Sequence, residues 1–97
     1  MKKIFLSLVV VAASSLMAAD GAALFQRCAA CHGTKAEKHA LGRSDVIQGW
    51  PKNKITKRLK YYKDGNLESD EYVMRQQVKN LSNSDIEAIA SYISSLH

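Results

Sequence analysis

Cys28-Ala29-Ala30-Cys31-His32 limits this chain more than any other feature, because these are its only two cysteines and an imidazole follows them directly. Two intervening residues put both sulfurs on one side of a helical turn. A disulfide between them would close a very small loop and restrain little of the chain. A thioredoxin-like redox pair expects a βαβ setting, and no sustained alternation of apolar and polar residues here suggests strands. A zinc site wants four ligands, and beyond His32 the only other histidines are His39 and the terminal His97. The remaining use is covalent attachment of one haem. Each sulfur adds to one vinyl group, and His32 lies beneath the iron as a ligand.

The start of the chain bears on the same question. Lys2 and Lys3 precede an apolar stretch from Ile4 to Ala13 broken only by Ser7, and Ser14-Ser15-Leu16-Met17-Ala18-Ala19 is small and mostly uncharged. That order is a secretory signal peptide, with Leu16-Met17-Ala18 placing a small residue before the cut. Residues 1–18 are therefore expected to be cleaved, leaving 19–97 as a single domain that starts at Ala19, with Asp20 as the alternative start. The apolar stretch is shorter than the roughly 20 residues that span a bilayer, so no stable membrane anchor is expected. Export takes the thiols into an oxidising compartment, where thioether bonds to haem would consume both.

So short a mature chain seldom stabilises itself by apolar burial alone and usually needs a staple, a need that a buried porphyrin meets. Loss of Lys2 and Lys3 leaves twelve basic against nine acidic side chains. An excess that small gives no argument for nucleic acid as a partner.

Helical spacing appears in three places. Gly21, Leu24, Phe25 and Cys28 recur at i, i+3, i+4, i+7 and form one face of a helix that delivers the cysteines. Ile55, Leu59 and Tyr62 do the same within Lys52 to Lys63, a segment that Pro51 opens and Gly65 closes. Ser82 and Asp85 make a capping-box-like pair ahead of Ile86, Ile89, Ala90, Ile93 and Leu96. Gly33 to Trp50 reads as a long loop, unusual in so small a domain unless it wraps something. Ser69 to Lys79 reads as a short helix with Ser69 as its cap and Asp70 and Glu71 in its first turn. The expected fold is all-α, three to five short helices around one covalently bound haem, with the terminal helices crossing.

A haem iron held by one histidine keeps a sixth position, and its occupant decides between electron transfer and small-molecule chemistry. Met1 and Met17 fall in the signal segment, so Met74 is the sole methionine of the mature chain. Its soft thioether suits haem iron and raises the potential relative to a nitrogen ligand. The competing reading makes Met74 a core filler. The rivals are His39, which lies only seven residues from His32 and is awkward for the opposite face, and the terminal His97. A haem enzyme or gas sensor would need an open sixth site and distal acid–base groups, which the sequence does not suggest.

On these motifs the sequence resembles the small, single-haem class I cytochromes c of bacterial periplasms. The likeness covers nearly all of the mature chain. It rests on Gly21-Ala22-Ala23-Leu24-Phe25 before Cys28-Ala29-Ala30-Cys31-His32-Gly33, on Met74 well downstream, and on Leu81-Ser82-Asn83-Ser84-Asp85-Ile86-Glu87-Ala88-Ile89-Ala90-Ser91-Tyr92-Ile93 as the closing helix. The resemblance implies haem c with its iron, held covalently by Cys28 and Cys31 and ligated axially by His32 and Met74. It implies a non-enzymatic, monomeric one-electron carrier in the periplasm. Such a carrier shuttles between larger redox proteins, such as a cytochrome-reducing complex and a terminal oxidase or peroxidase.

Two departures from the family pattern stand out. The aromatic precedes the first cysteine by three residues rather than the commoner four, so either Leu24 or Phe25 meets the last helix. No proline follows the haem histidine closely, which leaves a carbonyl around Ala40 to Gly42 to orient the His32 ring. Gly21 and Phe25 share a face for which Tyr92 is the natural partner. Trp50 either donates its ring nitrogen to a haem propionate or fills the core, and Tyr61, Tyr62 and Tyr72 read as wall residues. Lys52, Lys54, Lys57, Arg58, Lys60 and Lys63 crowd one segment without an acid among them. They form either a solvated face or an electrostatic docking surface for acidic patches on redox partners.

Overall fold

Asp20 opens the first helix by accepting a hydrogen bond from the Ala23 amide at 3.2 Å, and the computed structural model describes residues 20–97 from that cap onward. The expected signal peptide and its cleavage before Ala19 lie outside the described residues. Four α-helices follow, α1 (Gly21–His32), α2 (Lys52–Asp64), α3 (Tyr72–Val78) and α4 (Asn83–Ser94), with 3-10 turns at Ala40–Gly42 and Ser69–Glu71. No strand occurs among the described residues, in keeping with the all-α expectation.

The helix ends follow from local chemistry. Gly33 stops α1 at φ 91°, a conformation that glycine adopts without a side-chain penalty, and returns its amide to the Ala29 carbonyl at 2.8 Å. Pro51 begins α2, and the Gly65 amide closes it on the Tyr61 carbonyl at 2.7 Å. At α4 the capping box forms in both directions. Ser82 Oγ accepts from the Asp85 amide at 3.0 Å, and Asp85 Oδ2 accepts from the Ser82 amide at 3.0 Å. The expected cap at Ser69 is displaced by one residue. Glu68 stands at the cap of the 3-10 turn, and the Glu71 carboxylate reaches back to accept from the Glu68 amide at 2.8 Å.

Helix α1 packs against α4, α2 against both α4 and α3. Phe25, Ile55, Leu59, Val78, Leu81, Ile86, Ile89, Ala90 and Ile93 form the buried core. A Cβ on Gly21 would overlap the Ala88 carbonyl oxygen, so glycine sets how closely the terminal helices approach. The long loop is pinned rather than loose. Lys38 N–H donates to the His32 carbonyl (2.8 Å), Gln48 N–H to Ala36 (3.0 Å) and Gly49 N–H to Ile93 (3.2 Å), which ties both ends of the loop to the helical body. No helix among the described residues is long and apolar enough to cross a membrane.

Candidate functional site

A cavity of about 240 Å³ opens between α1, α2, α3, α4 and the long loop. Helix α1 contributes Cys28 and His32, α3 contributes Met74, and Ile55, Leu59, Val78, Leu81, Ile89 and Ile93 supply apolar wall. Three of the four side chains expected to act together, Cys28, His32 and Met74, thus share one cavity although α2 and two loops separate them in sequence. Cys31 is outside its lining and exposed, one helical turn from Cys28, and both cysteines are free.

His32 is 7 % exposed, the one polar residue in the buried core among those described. Burial pushes its pKa down and favours the neutral imidazole, the form that ligates a metal. Its Nδ1 is buried with no hydrogen-bond partner. The expected carbonyl from the Ala40–Gly42 stretch does not reach it, because that stretch folds into its own turn and the Ala40 carbonyl accepts from the amides of Arg43 and Ser44 at 3.1 and 3.2 Å. A buried ring nitrogen left unpaired costs about 1–3 kcal/mol, so the ring fits a site in which another group engages it. Burial also raises the Cys28 pKa, against a lowering by the Arg27 charge and with a further rise from Cys31. No three His, Cys, Asp or Glu side chains converge on a metal position among the described residues. An apolar slot lined by an imidazole, a thioether and the Cys28 thiol, with the free Cys31 thiol one helical turn away outside it, fits haem and is a poor match to a hydrated metal ion.

The polar rim was only partly visible in the sequence. Trp50 and Tyr62 line the cavity, whereas Tyr61 and Tyr72 are exposed away from it and are not wall residues. Arg43, Ser44 and Asp45 also line it without having stood out in sequence, and so does Arg58, which the sequence placed only in the basic run. Arg58 had a legible signal, since it lies three residues after Ile55 and therefore beside the inward face of α2. The loop residues had none. Lys54 Nζ sits 3.9 Å from the Trp50 ring centroid and the Arg58 guanidinium 5.5 Å from it, so part of the basic run reaches the cavity through that indole.

The family model for cytochrome c matches residues 18–97. Cytochrome c-553 of Helicobacter pylori is 44% identical over 97 residues, with 99% of each chain covered. Cytochrome c-553 of Nitratidesulfovibrio vulgaris is 37% identical over 102 residues, covering 99% of this chain and all of that one. Cytochrome c4 of Azotobacter vinelandii is 32% identical over 72 residues, which span 34% of its length. The chain belongs to the cytochrome c family, as a small class I, single-haem member homologous to bacterial cytochrome c-553. It is an electron carrier and not an enzyme, as the family is.

Proposed function

We propose that this cytochrome c carries one haem c, bound through thioethers at Cys28 and Cys31, with His32 and Met74 as the axial ligands. The supporting observation is the shared cavity, which takes an imidazole from α1 and the only mature-chain methionine from α3 into one apolar lining. Haem supplies a one-electron iron couple when bound there. The side chains do the rest. His32 offers a neutral nitrogen, and Met74 a soft sulfur that favours the reduced state and raises the potential. Ile55, Leu59, Val78, Leu81, Ile89 and Ile93 keep water from the centre, which disfavours the more highly charged oxidised state. With His32 and Met74 both holding the iron, a substrate would find no place on it, and electrons would be the only traffic.

The protein works in the periplasm, as a monomer exported by residues 1–18. It passes electrons between larger redox proteins of the cytochrome-reducing and terminal oxidase or peroxidase kinds. Exposed Lys54 of α2 lies over the Trp50 ring with Arg58 beside it at the cavity, where an acidic partner surface would be drawn.

The test is spectroscopic. The chain, produced with haem-attachment machinery, is expected to hold haem that denaturant does not extract and to remain low-spin without binding carbon monoxide. Met74→Ala is expected to become high-spin when oxidised and to bind carbon monoxide when reduced. Wild-type protein that takes up carbon monoxide as readily as this variant would remove Met74 from the ligand set.

A further inference from the structure

Helix α3 carries Met74 and has little of its own to hold it. It is seven residues long, has no side-chain N-cap, and buries only Val78 fully, while Tyr72 and Val73 are 47% and 50% exposed. A helix this short is not stable in isolation. Its fixed position depends on what ties its N-terminal half, the half with Met74, to the body of the protein.

The ties converge on the C-terminal end of α2. Arg75 Nε donates to the Tyr62 carbonyl at 2.8 Å and its Nη2 to the Gly65 carbonyl at 2.5 Å, both partly buried. The Tyr62 carbonyl belongs to the last turn of α2, where carbonyls lack intrahelical partners and a cation is favoured by the helix dipole. The guanidinium also lies 5.5 Å from the Tyr72 ring centroid, which helps hold the fork in place. One turn earlier, Tyr61 Oη donates to Glu71 Oε1 at 2.7 Å. Because Arg75 directly follows Met74, fixing its side chain on α2 fixes the backbone from which Met74 projects into the cavity.

We propose that Arg75 is the positioning residue for Met74: its two-pronged bond to the Tyr62 and Gly65 carbonyls holds the Met74 turn closed over the cavity. This rests on the reading of Met74 as an axial ligand. Arg75 is not among the residues that line the cavity, and it acts by setting the fraction of molecules in which the methionine is in place. An outside ligand for the iron binds only the complementary fraction, so its apparent affinity reports that fraction directly.

The experiment measures carbon monoxide binding to the reduced haem-bound protein in wild type, Met74→Ala, Arg75→Ala, Arg75→Lys and Ser82→Ala, together with amide exchange over residues 72–78 and 83–94. Arg75→Ala is expected to bind carbon monoxide at least about tenfold more tightly than wild type, the scale of one of the two charge-assisted hydrogen bonds that it loses. Its exchange should speed up in 72–78 and stay unchanged in 83–94. Arg75→Lys keeps the charge but not the planar fork, and should fall between the two. If Arg75→Ala does not accumulate, Arg75→Lys decides by the same measurements. Ser82→Ala weakens the cap of α4 and should leave carbon monoxide affinity at the wild-type level. The proposal is overturned if both Arg75 variants stay as closed as wild type while Met74→Ala opens, or if Ser82→Ala opens the site equally. If Met74→Ala itself behaves as wild type, the ligand assignment fails, and with it any role for Arg75 in holding that ligand.

Discussion

Phe25 of α1 and Tyr92 of α4 meet with ring centroids 5.5 Å apart and planes tilted by 49°, and Phe25 is fully buried. The contact settles which of two adjacent residues anchors the first helix to the last, since Leu24 is only partly buried. Phe25→Ala should lower the unfolding free energy of the haem-bound protein by about 3–5 kcal/mol, the usual cost of removing a buried aromatic ring. Phe25→Leu, which keeps more of the volume, should lose less. Guanidinium unfolding of both variants checks the order, and a Leu24→Ala loss larger than that of Phe25→Ala would reverse the assignment.

Gly21 makes a prediction whose sign separates packing from propensity. Alanine is favoured over glycine within a helix by about 1 kcal/mol, so on propensity alone Gly21→Ala should stabilise. The added Cβ would collide with the Ala88 backbone and approach Tyr92 Cβ at 3.0 Å, and neither is the flexible end of a side chain. The variant should therefore be less stable by about 1–3 kcal/mol, as for other overpacked contacts. A higher unfolding midpoint for Gly21→Ala would mean that α1 and α4 can separate freely.

The Tyr61–Glu71 bond ties stability to pH at two ends. The Glu68 amide first, and the Tyr61 hydroxyl second, hold the Glu71 carboxyl below its ordinary range. A depressed carboxyl pKa contributes stability that is present above the unfolded value of about 4.3 and is lost as pH falls through the folded one. The same bond, followed by burial and the charges of Glu71 and Glu68, raises the Tyr61 pKa. That contribution is present below the unfolded value of about 10 and fades as pH rises through the folded one. Tyr61→Phe should thus cost stability near neutrality, with the difference from wild type shrinking in both acid and alkali. Glu71→Gln should flatten the acid limb further, because the Glu68 amide bond persists in Tyr61→Phe. Unfolding midpoints across pH that run parallel for all three proteins would show that the bond carries no linkage.

These residues also show what sequence could and could not reveal. Helix faces were legible because 3.6-residue spacing repeats over several turns, as in Ile55, Leu59 and Tyr62 or Ile86, Ile89 and Ile93. The Ser82–Asp85 box was legible because capping needs a fixed three-residue offset. Cys28, Cys31 and His32, the proposed haem-holding residues, announced themselves by adjacency, which distance in space cannot blur. The cap at Glu68 was missed because glutamate is an uncommon cap and Ser69 a common one. The Arg75 bonds to Tyr62 and Gly65, the unpaired Nδ1 of His32, and the approach of Arg43 and Asp45 to the cavity all depend on how a loop or a two-turn helix folds back. No periodicity encodes that.

The charge on α2 gives a prediction about rate rather than stability. Lys54, Lys57 and Lys60 are exposed, and the Lys54 ammonium lies 3.9 Å from the ring of Trp50, a cavity-lining residue. Charge at Lys54 acts directly on whatever approaches the site and charge at Lys57 and Lys60 adds to the field of the same helix, while Lys52 is already engaged with Glu87 at 3.2 Å. Reversing Lys54, Lys57 and Lys60 to Glu turns a local attraction for anions into repulsion, with little effect on a core that these side chains do not enter. At low ionic strength the triple variant should reduce ferricyanide, an anion, more slowly than wild type, and should reduce a cationic cobalt(III) complex faster. Both differences should vanish near 1 M salt, where the screening length is about 3 Å. Opposite changes with the two reagents assign the effect to charge at the site, because a shift in potential or a loosened fold would move both rates in the same direction. Equal rates for variant and wild type with either reagent at low salt would leave the basic face as a solvated surface with no part in steering electrons.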